Sequence, residues 1–172
     1  GWNDELRKAV HMIKVHEHTI EVTNSDDPLF KLLTVSNLLR HLEHYAKHPH
    51  EYFEPIESSE VKESFEDGVH VLDRVLHFSS MDVKDRVSFL DNHTMVTDIE
   101  HTENYPGSRL TIEIKTLELK NTISLHFLYE EDIETAPQED IFLSLRRKAY
   151  EQKDQDMVER IRQQAGRLSE LS

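Results

Sequence analysis

The chain contains no cysteine. That excludes disulfides, thiolate metal sites and cysteine nucleophiles together. Glycine is scarce, with four in 172 residues. None of them builds a phosphate-cradling loop or a Gly-x-Ser-x-Gly nucleophile elbow. No HExxH pattern occurs, and no apolar run approaches the roughly 18–20 residues that cross a bilayer. Positive charge is also short: 20 Lys and Arg stand against 34 Asp and Glu, a net −14. Phosphate neutralisation needs a positive footprint, so direct nucleic-acid binding is not expected. Without a signal-peptide pattern or cysteines, the chain reads as cytoplasmic. It begins at Gly1 rather than Met, so native sequence is expected upstream.

What is present is unevenly spread. Residues 1–138 hold 13 Lys and Arg against 27 Asp and Glu, whereas residues 139–172 hold seven of each. The neutral tail also has the cleanest helical periodicity. The expected organisation is an acidic body over 1–130, a linker over 131–140 around Pro137, and a C-terminal helical hairpin over 141–172.

Within the body, Asn3 is read as the cap of a helix carrying Leu6, Ala9, Val10 and Ile13. Ile20 to Val22 reads as a short strand. Asp27-Pro28 is read as the start of a helix running from Leu29 to Tyr45, with Val35, Leu38, Leu39, Leu42, Tyr45 and Ala46 on one face and Pro49 ending it. Ser58 or Ser59 opens a further helix through Val61, Phe65, Val69, Leu72 and Leu76. Asp82 caps a shorter one with Val83, Val87 and Leu90 inward. The period then changes to two. Met95 to Glu100, Leu110-Ile112-Ile114 and Ile123-Leu125-Phe127-Tyr129 read as a meander, with turns at 105–108 and Lys120-Asn121 and a bulge near Thr116. The fold class is therefore α+β: a helix-rich N-terminal half, an antiparallel β meander and a C-terminal helical hairpin.

Twelve histidines are available as ligands. On a helix, His41, His44 and His48 share one flank, and three imidazoles there could hold a divalent metal. No other cofactor is expected. His70, Asp73 and His77 repeat the spacing, but their wheel position faces solvent. No catalytic residue stands out. In the tail, Arg146-Arg147-Lys148 contrasts with the acidic body. The apolar stripe Met157, Val158, Ile161, Ala165 and Leu168 must be covered by the body, a partner or a second copy. Asp154 is read as the cap between the two tail helices.

Residues 149–161, Ala149 through Ile161, resemble the IDEAL-type helical motif of Firmicutes proteins. Tyr150 stands for its Leu, Glu151 for its Asp, Val158 for its Phe and Ile161 for its second Leu. The motif's opening Ile-Asp is absent, replaced by Arg146 and Arg147. The stretch is also similar to the UVR-type hairpin through Ala149, Asp154 and Arg160-Ile161-Arg162. Both resemblances imply protein–protein contact. The expected function is a non-enzymatic, bacterial or phage-encoded adaptor, inhibitor or regulator. Its partner would be another protein, or a second copy through the hairpin, bound by Arg146, Arg147, Tyr150, Met157, Val158, Ile161 and Leu168. The alternatives are a metal-binding enzyme or sensor using the histidines, and a mimic of DNA charge.

Overall fold

The computed structural model describes the backbone of residues 11–171 and the side chains of residues 11–167. Seven antiparallel strands form one sheet: β1 (Met12–Asn24), β2 (Ser58–Glu66), β3 (Val69–His77), β4 (Asp82–Phe89), β5 (Thr94–Ile99), β6 (Ser108–Leu117) and β7 (Thr122–Asp132). Their spatial order is β1-β7-β6-β5-β4-β3-β2. After β1 the chain makes a helix, α1 (Val35–Lys47), and re-enters the sheet at the far edge as β2. It then walks back strand by strand until β7 pairs with β1. The last helix, α2 (Ile141–Leu171), packs against the sheet.

Alternation drives the best-covered strand. Ile123, Leu125, Phe127 and Tyr129 on β7 are all buried, and they share one core with Ile112, Ile114 and the α2 residues Met157, Val158, Ile161 and Ala165. β1 carries register shifts at Lys14/His16 and Glu21/Thr23. Such bulges bend a strand and raise its local twist.

The helix-rich N-terminal half is overturned. Residues 25–33 form turns rather than helix. Asp27 explains why: its carboxylate accepts the Leu29 amide at 2.9 Å, an Asx turn that competes with a helical start. Helix α1 begins only after Thr34, whose hydroxyl accepts the Asn37 amide, and it buries Leu38, Leu42 and Ala46. The helix expected from Ser58 is instead the β2–β3 hairpin. Asp67 and Gly68 form its two-residue turn, with φ of 51° and 79°, as expected for an Asp-Gly primed turn. The short helix expected at Asp82 is β4, which buries Asp85, Val87 and Phe89 at spacing two. No bulge occurs near Thr116, because β6 and β7 pair without a shift from Ser108↔Glu131 to Leu117↔Thr122. Of the expected helix over 3–13, only residues 11–13 are described, and Met12 and Ile13 belong to β1.

Gly68 supplies a test of sign. In a helix, Gly→Ala would stabilise by about 1 kcal/mol. At a left-handed turn position it destabilises by about 1–2 kcal/mol, since the Cβ meets its own backbone. No neighbouring atom lies within 4 Å of that Cβ, so backbone strain decides alone. Urea unfolding of Gly68→Ala should therefore show a loss of stability.

The C-terminal hairpin is also overturned. α2 is one helix of 31 residues. Asp140 caps it, with its carboxylate accepting the Leu143 amide at 2.9 Å. No bend falls at 151–156, and Asp154 is not a cap. It is 1% exposed and sits inside the buried stripe that runs through Tyr150, Asp154, Met157, Ile161 and Ala165. A polar residue in mid-stripe made one helix look like two.

Candidate functional site

Between α1, α2 and the sheet lies a cavity of about 270 Å³. Its floor carries charge. Arg74 on β3 and Asp85 on β4 stand directly opposite in register. The guanidinium donates Nε and Nη2 to the two Asp85 oxygens at 2.8 and 2.7 Å. Its Nη1 donates to the Ala46 carbonyl at 2.7 Å, in the last turn of α1. A helix C-terminus leaves carbonyls without partners, so Arg74 ties helix to sheet while satisfying one of them. Both side chains are buried, 8% and 1% exposed.

The walls are apolar and aromatic, with Phe53, Ile56, Leu76 and Phe78 among them. Tyr129 and Tyr150 stack at 4.1 Å. The Tyr129 hydroxyl donates to Asp154 at 2.7 Å, and the same oxygen contacts His18 Nε2 at 2.7 Å. Burial, with the Asp154 charge second, pushes the Tyr129 phenol far above its ordinary range. It stays neutral and cannot act as a base. Lys153 lies over the Tyr129 ring at 5.5 Å and 3.5 Å from Asp154. Burial alone would lower its pKa, but Tyr45, Asp154 and Tyr150 outweigh that and raise it. Lys153 is therefore a charged donor on the cavity wall. Tyr45, also on the wall, turns its ring edge to Tyr52 at 5.1 Å.

A larger groove of about 620 Å³ between α1 and α2 holds His41, His44 and Gln164. It is more open to solvent than the cavity, and the more sheltered cavity is the better binding site.

The other candidate residues fall in several places. His41 is turned toward Gln164, and burial lowers its pKa. His44 and His48 lie 4.6 Å apart between ring centres, with Glu51 rather than His41 completing their group. His77 sits between Asp82 and Glu60 at 2.7 and 2.8 Å. Met157, Val158 and Ile161 are core. Arg146 pairs with Glu131 and donates to the Tyr150 hydroxyl. Arg147 pairs with Glu139 and donates to the Val15 carbonyl. Leu168 lies outside the described side chains. Sequence reasoning missed Arg74, Asp85, Tyr129 and Lys153. Their one signal was a charged pair, Asp73-Arg74, inside the apolar run 71–76.

The family model described as acetylaranotin biosynthesis cluster protein L matches residues 20–167. The chain belongs to this AtaL family. No curated protein sequence matches it. Among solved structures, the AtaL chain resembles the di-domain aromatase/cyclase StfQ from the steffimycin biosynthetic pathway, with a TM-score of 0.60, 10% identity, and coverage of 97% of this chain and 54% of that one. It resembles a START superfamily protein from Mycobacterium smegmatis, with a TM-score of 0.55, 14% identity, and coverage of 89% and 98%. It also resembles the di-domain aromatase/cyclase BexL from the BE-7585A pathway, with a TM-score of 0.56, 9% identity, and coverage of 90% and 50%. The chain thus spans about half the length of the two di-domain proteins. At these identities the likeness concerns the fold, a START-like sheet gripping its C-terminal helix.

Family and fold correct the earlier expectations. The resemblance to IDEAL- and UVR-type hairpins fails, because the AtaL match runs through the same residues and they form one helix. The adaptor reading falls with it, together with its alternatives of a histidine-based metal enzyme or sensor and a DNA-charge mimic. Among the described residues, no helix is long and apolar enough to cross a membrane.

Proposed function

We propose that the protein binds a small oxygenated ring compound, of the polyketide-derived aromatic class, in the cavity under α2, and promotes ring closure or aromatisation of it. The observation that carries this reading is a largely apolar cavity of about 270 Å³ with the Lys153 ammonium on its wall. That volume equals roughly nine waters at about 30 Å³ each, which suits about two fused rings. Support comes from the family's link to a biosynthetic cluster and from fold neighbours named as aromatase/cyclases.

The chemistry follows from the donors. In a ring closure of this kind a carbon acid gives a proton to water, and the carbanion attacks a carbonyl carbon. The carbonyl oxygen gathers negative charge and is then protonated. In this reading Lys153 holds that oxygen, because a fixed cation on a largely apolar wall stabilises developing charge better than mobile water does. Tyr129 and Tyr150, stacked on one another, give the wall an aromatic surface for the ring to pack against. Arg74 stays committed to Asp85 and Ala46 and shapes the floor.

The test is calorimetric titration with a hydroxynaphthoquinone. Wild type should bind at one site. Lys153→Met should bind about 10–100-fold more weakly, the worth of one charged hydrogen bond. Leu110→Trp, which fills the cavity, should not bind. Equal affinity in all three would sink the reading. A turnover assay on a linear poly-β-ketone then separates enzyme from carrier: ring closure that disappears in Lys153→Met marks the enzyme, and binding without ring closure marks the carrier.

A further inference from the structure

We infer that His16, His18 and Glu151 form a binding site for one divalent transition-metal ion, of the zinc, nickel or copper type, that clips helix α2 to strand β1. The ligand atoms come from both elements. His16 and His18 are two apart on β1 and so project from one face of the strand. Glu151 lies on α2, one turn before Asp154. One nitrogen of each imidazole and one Glu151 oxygen lie within 4.8 Å of one another.

Each histidine is prepared for this role. His16 Nε2 is 3.3 Å from Glu151 Oε1, yet it makes no hydrogen bond and is fully buried. A buried nitrogen without a hydrogen bond is unusual, and a metal bond would satisfy it. His18 gives Nε2 to the buried Asp154 carboxylate at 2.7 Å. That acceptor fixes the proton on Nε2 and leaves the Nδ1 lone pair facing Glu151, 3.9 Å away. A carboxylate holding the far nitrogen of a ligating histidine is the usual outer-shell arrangement. Tyr129 holds Asp154 in turn at 2.7 Å.

The donor set selects the ion. Two imidazoles and one carboxylate suit zinc, nickel or copper rather than calcium or magnesium. Tetrahedral ligands at about 2.1 Å from zinc stand about 3.4 Å apart, so the widest pair in the group closes by at most about 1.4 Å. Glu151 Oε1 already lies 3.3 and 3.9 Å from the two ring nitrogens, so the closing falls mainly to rotation of the imidazoles, and half-exposed Glu151 leaves an open side for solvent. The second group, His44, His48 and Glu51, lacks these features: all three are substantially exposed. No buried carboxylate orients either ring among the described residues. It serves as the internal control.

The experiment is a Zn²⁺ titration of tag-free, chelator-stripped full chain by calorimetry, with melting curves alongside. Wild type and His44→Ala should each bind one equivalent in the β1–α2 site and melt higher with zinc, since an ion held only by the folded state stabilises it. His16→Ala should lose this binding. Glu151→Gln, a conservative change at a half-exposed position, should bind at least tenfold more weakly and show no zinc-dependent melting shift. Cobalt(II) should give visible ligand-field bands in wild type that vanish in Glu151→Gln. No zinc binding by wild type overturns the site. So does binding that survives both His16→Ala and Glu151→Gln, or that disappears in His44→Ala.

Discussion

Arg74→Met should destabilise the fold by about 3–5 kcal/mol, as expected when one partner of a buried ion pair is removed. The remaining Asp85 would keep a charge at 1% exposure with both of its guanidinium bonds gone. The Ala46 carbonyl would also lose its donor, loosening α1 from β3. Asp85→Leu should cost a similar amount for the mirror-image reason. The double variant Arg74→Met/Asp85→Leu should recover most of the loss, because a hydrophobic pair of similar volume often replaces a buried ion pair at little cost. Urea unfolding of the four proteins checks this as a double-mutant cycle. Additive losses in the double variant would mean that the two residues act independently. If the floor charge only shapes the cavity, the recovered double variant should still bind ring compounds.

Asp154→Ala should cost about 3 kcal/mol. Its carboxylate takes bonds from His18 and the Tyr129 hydroxyl and faces the Lys153 ammonium. Each buried donor left without a partner costs about 1–3 kcal/mol, and the Tyr129 hydroxyl can recover part by turning to cavity water. Asp154→Asn should cost less, because an amide oxygen still accepts one of the bonds, although Lys153 loses its counter-charge. Chemical denaturation of the two variants decides it. A loss below about 1 kcal/mol for Asp154→Ala would show that this network contributes little to holding α2 on β1.

How much of this was legible in the sequence differs by element. Strands β6 and β7 lie where Ile112, Ile114, Leu125 and Phe127 alternate, because one face of each is core and the other is not. β2 gave no such signal. It is an edge strand, with Val61 and Phe65 exposed, and their spacing of four imitates a helix. The Asp67-Gly68 turn was the clue in that stretch, and its weight was lost to the helical period. α2 was visible as helix, but Asp154 inside its buried stripe divided it on paper. The cavity was not legible at all. Arg74 meets Asp85 only through the β3–β4 register, and Lys153 reaches Tyr129 only once α2 lies on β7. Neither pairing leaves a spacing that a linear reading can find. The histidines misled for a related reason. His41, His44 and His48 share a helix flank, whereas His16, His18 and Glu151 converge only across two elements.

The cavity beneath α2 is the centre of the account, and a crystal structure of the protein with the hydroxynaphthoquinone bound tests it most directly. The ring should lie along the Tyr129–Tyr150 stack, with one of its oxygens within hydrogen-bond reach of Lys153 Nζ. A ligand seated instead in the open groove beside His41 and Gln164, or no ligand at saturating concentration, would contradict it.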